Sequence, residues 1–126
     1  MLEHELSGMF DVAHGAGLSA LWPSWARYTY ARNIPRFAQF ATKVMCCEPN
    51  FADLKETALA GISALERFFQ DIGMPISIRE LGVENLDDSQ IMVMADKCSG
   101  NGDRTIGKFV ELKKEDMIHI FHMAKG

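Results

Sequence analysis

The sequence predicts an all-α fold, built as one multi-helix domain over residues 1–126, and three observations predict it. Apolar residues recur at three- and four-residue spacing through most of the chain, the pattern of a buried helical face. Asn and Asp caps open some of these segments, while Gly and Pro close the most regular one. No internal repeat or low-complexity tract interrupts the pattern.

The first segment, from about Leu2 to Met9, reads as a short helix with nothing before it to serve as a cap. From Ala16 to about Tyr30, Leu18, Leu21, Trp22, Trp25 and Tyr28 form one apolar face, and Pro23 is expected to kink this helix or restart it. Phe37, Phe40, Ala41 and Val44 repeat the spacing in a third segment ending near Cys47. The most regular helix is predicted from Phe51 to Ile72, with Leu54, Ala58, Ile62, Leu65, Phe69 and Ile72 on one stripe. Asn50 serves as its cap, Asp53 adds first-turn negative charge, and Gly73 followed by Pro75 ends it. An extended link, Ile76 to Leu81, leads through Gly82 to Asp87 and Asp88, which cap a helix carrying Ile91, Met94, Ala95 and Cys98. The loop Ser99-Gly100-Asn101-Gly102-Asp103 breaks that helix. A last helix, about Lys114 to Ala124, buries Met117, Ile120, Phe121 and Ala124. The sum is five or six helices.

Composition narrows the function. The chain has 126 residues, 48% hydrophobic and 24% charged, which is one globular domain's worth. A net charge of −4 without a basic cluster argues against nucleic acid, whose phosphates demand a concentrated positive face. No apolar run reaches membrane-spanning length. Glu3, His4 and Glu5 replace the basic and apolar start of a secretory signal, so a cytoplasmic location is expected. Three cysteines, Cys46, Cys47 and Cys98, are an odd number without metal-ligand spacing, and free, packed thiols are expected.

Several motifs fail on their chemistry. His4-Glu5 does not open a zinc-protease helix, because the histidine required four positions on is replaced by Gly8. Gly15-Ala16-Gly17-Leu18-Ser19-Ala20 matches a relaxed dinucleotide fingerprint, yet no strand precedes it and no acid stands at the ribose-binding distance. His119 and His122 fall beside Glu115 on the face opposite Phe121 and read as solvated surface residues. The cysteines have no histidine close in sequence to activate them as nucleophiles. What remains is the pair His4 and His14 in His4-Glu5-Leu6-Ser7-Gly8-Met9-Phe10-Asp11-Val12-Ala13-His14-Gly15-Ala16-Gly17. Two imidazoles bracketing a short junction with small residues suit a metal or cofactor wall.

At these residues the chain resembles the C-terminal helical domain of the iron-containing (group III) alcohol dehydrogenases, in the dehydroquinate synthase-like fold, and within them the NAD(P)H-dependent butanol dehydrogenase branch. His4-Glu5-Leu6 with Asp11 through Leu18 matches the family's histidine signature, and Pro23 falls where the family has a proline. Arg36 to Ala41, Phe68-Phe69 to Gly73-Met74-Pro75 and Gly107 to Leu112 fit later landmarks. The resemblance implies a two-domain enzyme exchanging a hydride between a primary alcohol or aldehyde and NAD(P)H. It also implies a divalent metal, iron(II) or zinc, held between the domains by an aspartate and three histidines. His14 matches the last metal histidine, and His4 the histidine near the nicotinamide and substrate, with a role in proton relay or positioning.

The cofactor-binding domain and the other metal ligands have no counterpart here. The chain alone is therefore expected to be catalytically inactive and to bind neither metal nor cofactor tightly. Its expected partner is that missing domain, in the same or another polypeptide. The alternative reading is a non-catalytic helical interaction or structural module, with self-association through the apolar surface left bare.

Overall fold

A computed structural model describes residues 14–83, 86–99 and 112–126. The described residues form five α-helices: α1 (His14–Thr29), α2 (Ile34–Lys43), α3 (Leu54–Asp71), α4 (Asp88–Cys98) and α5 (Lys114–Ala124), with 3-10 turns at Tyr30–Arg32 and Arg79–Leu81. None of the described residues forms a β-strand. The predicted helix at Leu2 to Met9 and most of the loop after Ser99 lie outside the described residues.

Helix α1 is the central element. It packs against α3 on one side and α5 on the other, and so it is buried on more faces than a single apolar stripe provides. Gly17, Ser19, Ala20, Leu21, Pro23, Ser24, Ala26 and Thr29 are all buried. Small residues fill these positions because a helix flanked on two sides needs short side chains for its neighbours to approach. Pro23 lies inside α1, and the helix does not restart there. The buried hydroxyls are satisfied: Ser19 Oγ donates to the distant Pro75 carbonyl at 2.6 Å, and Thr29 Oγ1 to the Trp25 carbonyl, one turn back, at 2.8 Å.

Two apolar clusters flank α1. The larger gathers Leu21, Ile78, Leu86, Ile91, Met94, Met117, Ile120 and Phe121 from α1, α4, α5 and the link. The smaller joins Ala26, Phe37, Ala58 and Ile62 from α1, α2 and α3. Trp25 packs against both. Helices α2 and α3 form the tightest pair, because α3 presents Gly61 where α2 presents Ala41. A Cβ placed on Gly61 would lie 2.5 Å from Ala41 Cβ and 2.7 Å from Ala41 Cα. Polar ties reinforce the packing: Arg27 makes a two-pronged pair with Glu66 at 2.6 and 3.1 Å, and Lys114 pairs with Asp96.

Several boundaries differ from the sequence expectation for local reasons. Helix α3 starts at Leu54, because Asp53, not Asn50, is its cap and accepts from Lys55 N–H. Asn50 instead accepts from the backbone N–H groups of Ala52 and Asp53, folding a turn before the helix. That turn leaves Phe51 86% exposed. Leu54 and Ile72, expected on the buried stripe, are 42% and 56% exposed, Leu54 being the first residue of α3 and Ile72 the cap that follows its last turn. Helix α2 ends at Lys43, with Cys46 at φ 58°. The carbonyls of Phe40 and Ala41 accept there from Met45 and Cys47 N–H. Tyr30 belongs to a 3-10 turn and not to α1.

The link after Gly73 is not extended throughout, since Arg79–Leu81 closes into a 3-10 turn ending at Gly82, φ 96°. Ile78 N–H also donates to the Ala124 carbonyl at 2.7 Å, fastening the link to the end of α5. Other expectations hold. Gly73 takes the left-handed conformation at φ 79°, and Asp87 caps α4 in a reciprocal box with Gln90. Helix α5 spans Lys114–Ala124 and buries Met117, Ile120, Phe121 and Ala124.

Candidate functional site

The sequence places its chemistry at the entry to α1. His14 is the first residue of that helix; its side chain, and all of His4, lie outside the described residues. The backbone that follows is built for close approach. Gly15 is exposed, and a Cβ there would only just touch Met74 Cε, at 4.0 Å. The Ser19 bond to Pro75 holds this end of α1 beside the segment that follows α3. The end of α1 that begins at His14 is thus fixed by side-chain and backbone contacts from 56 residues away in sequence.

The other titratable candidates stand as follows. His119 and His122 are exposed, as the sequence predicts, and each has a partner on another helix. The His119 ring stacks on Tyr28 at 6.0 Å between centroids, and His122 Nε2 lies 3.7 Å from Asp88 Oδ1. All three cysteines are free. Cys98 is buried, but Cys46 is exposed and Cys47 half-buried, so the expectation of packed thiols fails for the adjacent pair. The turn that ends α2 turns Cys46 outward. Among the described residues no three His, Cys, Asp or Glu side chains are grouped so as to hold a metal ion. A metal centre in this protein would therefore need ligands beyond the described residues.

One polar cluster escaped the sequence reading. Tyr28 O–H donates to Asp116 Oδ1 at 2.5 Å, Lys113 N–H donates to Asp116 Oδ2 at 2.8 Å, and Arg32 lies 3.5 Å from the same carboxylate. Arg32 also sits 5.7 Å above the Tyr28 ring. These residues join α1 to α5 across 88 positions of sequence, a separation that no local pattern reveals. Burial acts to raise the Asp116 pKa, but the hydrogen bonds from Tyr28 and Lys113 and the Arg32 charge outweigh it. The carboxyl is held below its ordinary range. The hydrogen bond to Asp116, with burial, pushes the Tyr28 hydroxyl up.

A depressed carboxylate pKa contributes stability that is present above the unfolded value and lost as pH falls through the folded one. Urea unfolding of Asp116→Asn should therefore lose less stability than the parent between neutral pH and about pH 3. Parallel pH profiles for the two proteins would show that the cluster does not contribute. The raised tyrosine works in the opposite sense, its contribution fading as pH climbs above about 10.

An all-helical domain whose central helix opens at His14 and carries a small-residue first turn belongs to a recognisable class. The sequence profile of the Fe-containing alcohol dehydrogenase family, C-terminal region, matches residues 1–125, and the chain belongs to that family. It is 36% identical over 119 residues to the probable NADH-dependent butanol dehydrogenase 1 of Bacillus subtilis, an alignment covering 94% of this chain and 30% of that protein. With NADH-dependent butanol dehydrogenase A of Clostridium acetobutylicum it shares 31% identity over 121 residues, covering 95% and 30%. Its structure superposes on that of NADH-dependent butanol dehydrogenase A from Thermotoga maritima with a TM-score of 0.82 at 30% identity, covering 99% of this chain and 32% of the other. The chain thus spans about a third of the length of the relatives it matches, and it corresponds to their C-terminal helical domain. No helix among the described residues is long and apolar enough to cross a membrane.

Proposed function

We propose that this chain supplies the helical, metal-site side of an NAD(P)-dependent alcohol dehydrogenase of the butanol dehydrogenase type. The carrying observation is the agreement of nearly the whole chain with the C-terminal third of butanol dehydrogenases, in sequence and in fold. The N-terminal, cofactor-binding region comes from the same or another polypeptide. The reaction exchanges a hydride between the carbinol carbon of a primary alcohol and the nicotinamide ring, a proton leaving the alcohol oxygen to give the aldehyde. The enzyme works in the cytoplasm.

His14 is one ligand of an iron(II) or zinc ion, and His4 stands near nicotinamide and substrate, positioning them or relaying the proton. When bound, the ion supplies Lewis-acid polarisation of the substrate oxygen. Neutral imidazole suits either metal. This chain's part is to hold His14 at the fixed end of α1, where the exposed Gly15 leaves room for a ligand to approach. One imidazole does not retain such an ion against water, since affinity comes from several preorganised ligands. The chain alone is therefore inactive.

The test combines the chain with the cofactor-binding region of a butanol dehydrogenase, supplied in fusion or in trans, with iron or zinc present. Oxidation of NADH or NADPH by butyraldehyde is expected in the combined sample and in neither part alone. Equal turnover by the chain alone, or none in any fusion that binds nicotinamide cofactor, would overturn the proposal.

A further inference from the structure

Between α1, α2 and α3 lies a cleft of about 250 Å3, lined by Trp22, Trp25, Arg36, Phe37, Phe40 and Leu65. Its walls are aromatic and held by ring contacts: Trp22 to Phe40 at 5.7 Å and Trp25 to Phe37 at 6.0 Å between centroids. Phe37 is buried, but Trp22, Trp25, Phe40 and Leu65 remain partly exposed, so apolar surface faces an opening. Aromatic walls with one polar group at the edge are the usual make-up of a small-molecule site. The volume is just below the range of about 300–1,000 Å3 typical of drug-sized ligands, which limits the occupant to a small molecule.

The charge at this cleft decides the class of ligand. Arg36 is the lone charged residue of the lining, it is exposed, and among the described residues its guanidinium meets no carboxylate. The two arginines of the neighbouring segment are committed elsewhere, Arg27 to Glu66 and Arg32 to Asp116. An unpaired guanidinium offers a forked set of donors matched to a carboxylate. The cleft also begins at Trp22, eight residues along α1 from His14, which is about 12 Å along the helix axis. It does not belong to the helix entry proposed above for metal and substrate.

We propose that this cleft binds a small amphiphilic carboxylate, its alkyl or aryl body against Trp22, Trp25 and Phe40 and its carboxylate on Arg36. The inference is independent of the dehydrogenase reading, and a different measurement tests it. The two tryptophans of the chain are Trp22 and Trp25, both in the cleft wall, so intrinsic fluorescence reports occupancy directly.

Octanoate serves as the probe and octanamide as its neutral counterpart, both titrated into the full chain. Octanoate is expected to give a saturable blue shift in the low millimolar range or below, as the alkyl chain displaces water from the indoles. Arg36→Gln should weaken it about tenfold or more, the size of a lost charge-assisted bond, while leaving octanamide unchanged. Arg36→Lys should recover part of the loss. Arg36 is exposed, so these variants keep the fold, which far-UV circular dichroism verifies. An absent or non-saturable response, equal affinity for octanamide, or an Arg36→Gln variant that binds octanoate as the parent does would each overturn the proposal.

Discussion

Replacing His14 by alanine in the completed dehydrogenase is expected to remove bound metal and activity together. Where four ligands share an ion, loss of one leaves three and an extra water. Even the loss of an outer hydrogen-bond partner to such a ligand lowers affinity or activity about 10–100-fold. A direct ligand should therefore cost at least about a hundredfold in metal affinity. His4→Ala, by contrast, should leave metal content near the parent value while the rate falls by about 100-fold or more, the scale of a lost proton-transfer group. Metal per chain, measured by elemental analysis beside the rate of NADH oxidation, separates the two. The reverse pattern, metal lost with His4 and kept without His14, would exchange the two roles, and metal retained in both variants would remove His14 from the coordination sphere.

The second large effect concerns stability and the tightest helix contact. Gly61→Ala adds one methyl group where Ala41 Cβ and Cα stand 2.5 and 2.7 Å from the new atom. No side-chain rotation relieves that approach, because one of the obstructing atoms is backbone. Helices α2 and α3 must move apart, and Phe37, Ala58 and Ile62 lose contact around them. Overpacking of this kind costs about 1–3 kcal/mol, against about 1 kcal/mol that alanine gains over glycine in helix propensity.

A net loss is expected, read as a lower urea midpoint at unchanged slope. Ala41→Gly placed in the Gly61→Ala background should restore part of it, since the Cβ conflict disappears while the Cα conflict remains. A double-mutant cycle then gives a favourable coupling of about 0.5 kcal/mol or more. A Gly61→Ala variant as stable as the parent, or a cycle with no coupling, would mean that the two helices give way freely.

Helix α5 was legible to the residue, because Met117, Ile120, Phe121 and Ala124 repeat at helical spacing and all four are buried. The Asp87 cap of α4 was legible for the same local reason, as was the left-handed Gly73. The start of α3 was not. Asn50 and Asp53 are both good caps, and only the folded chain shows Asn50 used for the preceding turn. The link after Gly73 was not legible either, since it closes into a 3-10 turn and Ile78 bonds to Ala124, a residue distant in sequence.

The candidate site divides in the same way. His14 and the small residues after it were visible as a motif, and the family match covers them. The aromatic residues of α1 and α2 read as core from their spacing, and Phe37 is core. That Trp22, Phe40 and Arg36 instead edge an open cleft depends on how three helices cross. The sequence alone, through residues a few positions apart, determined the all-helical class, the ends of α4 and α5, and the family. The tertiary structure alone decided that α1 is central, that Gly61 meets Ala41, that Tyr28 meets Asp116 and that Arg36 lines one cleft with Trp22 and Trp25. Local periodicity records which side of a helix is apolar. It carries no information on which distant surface that side meets, because that choice is made by packing of the whole chain.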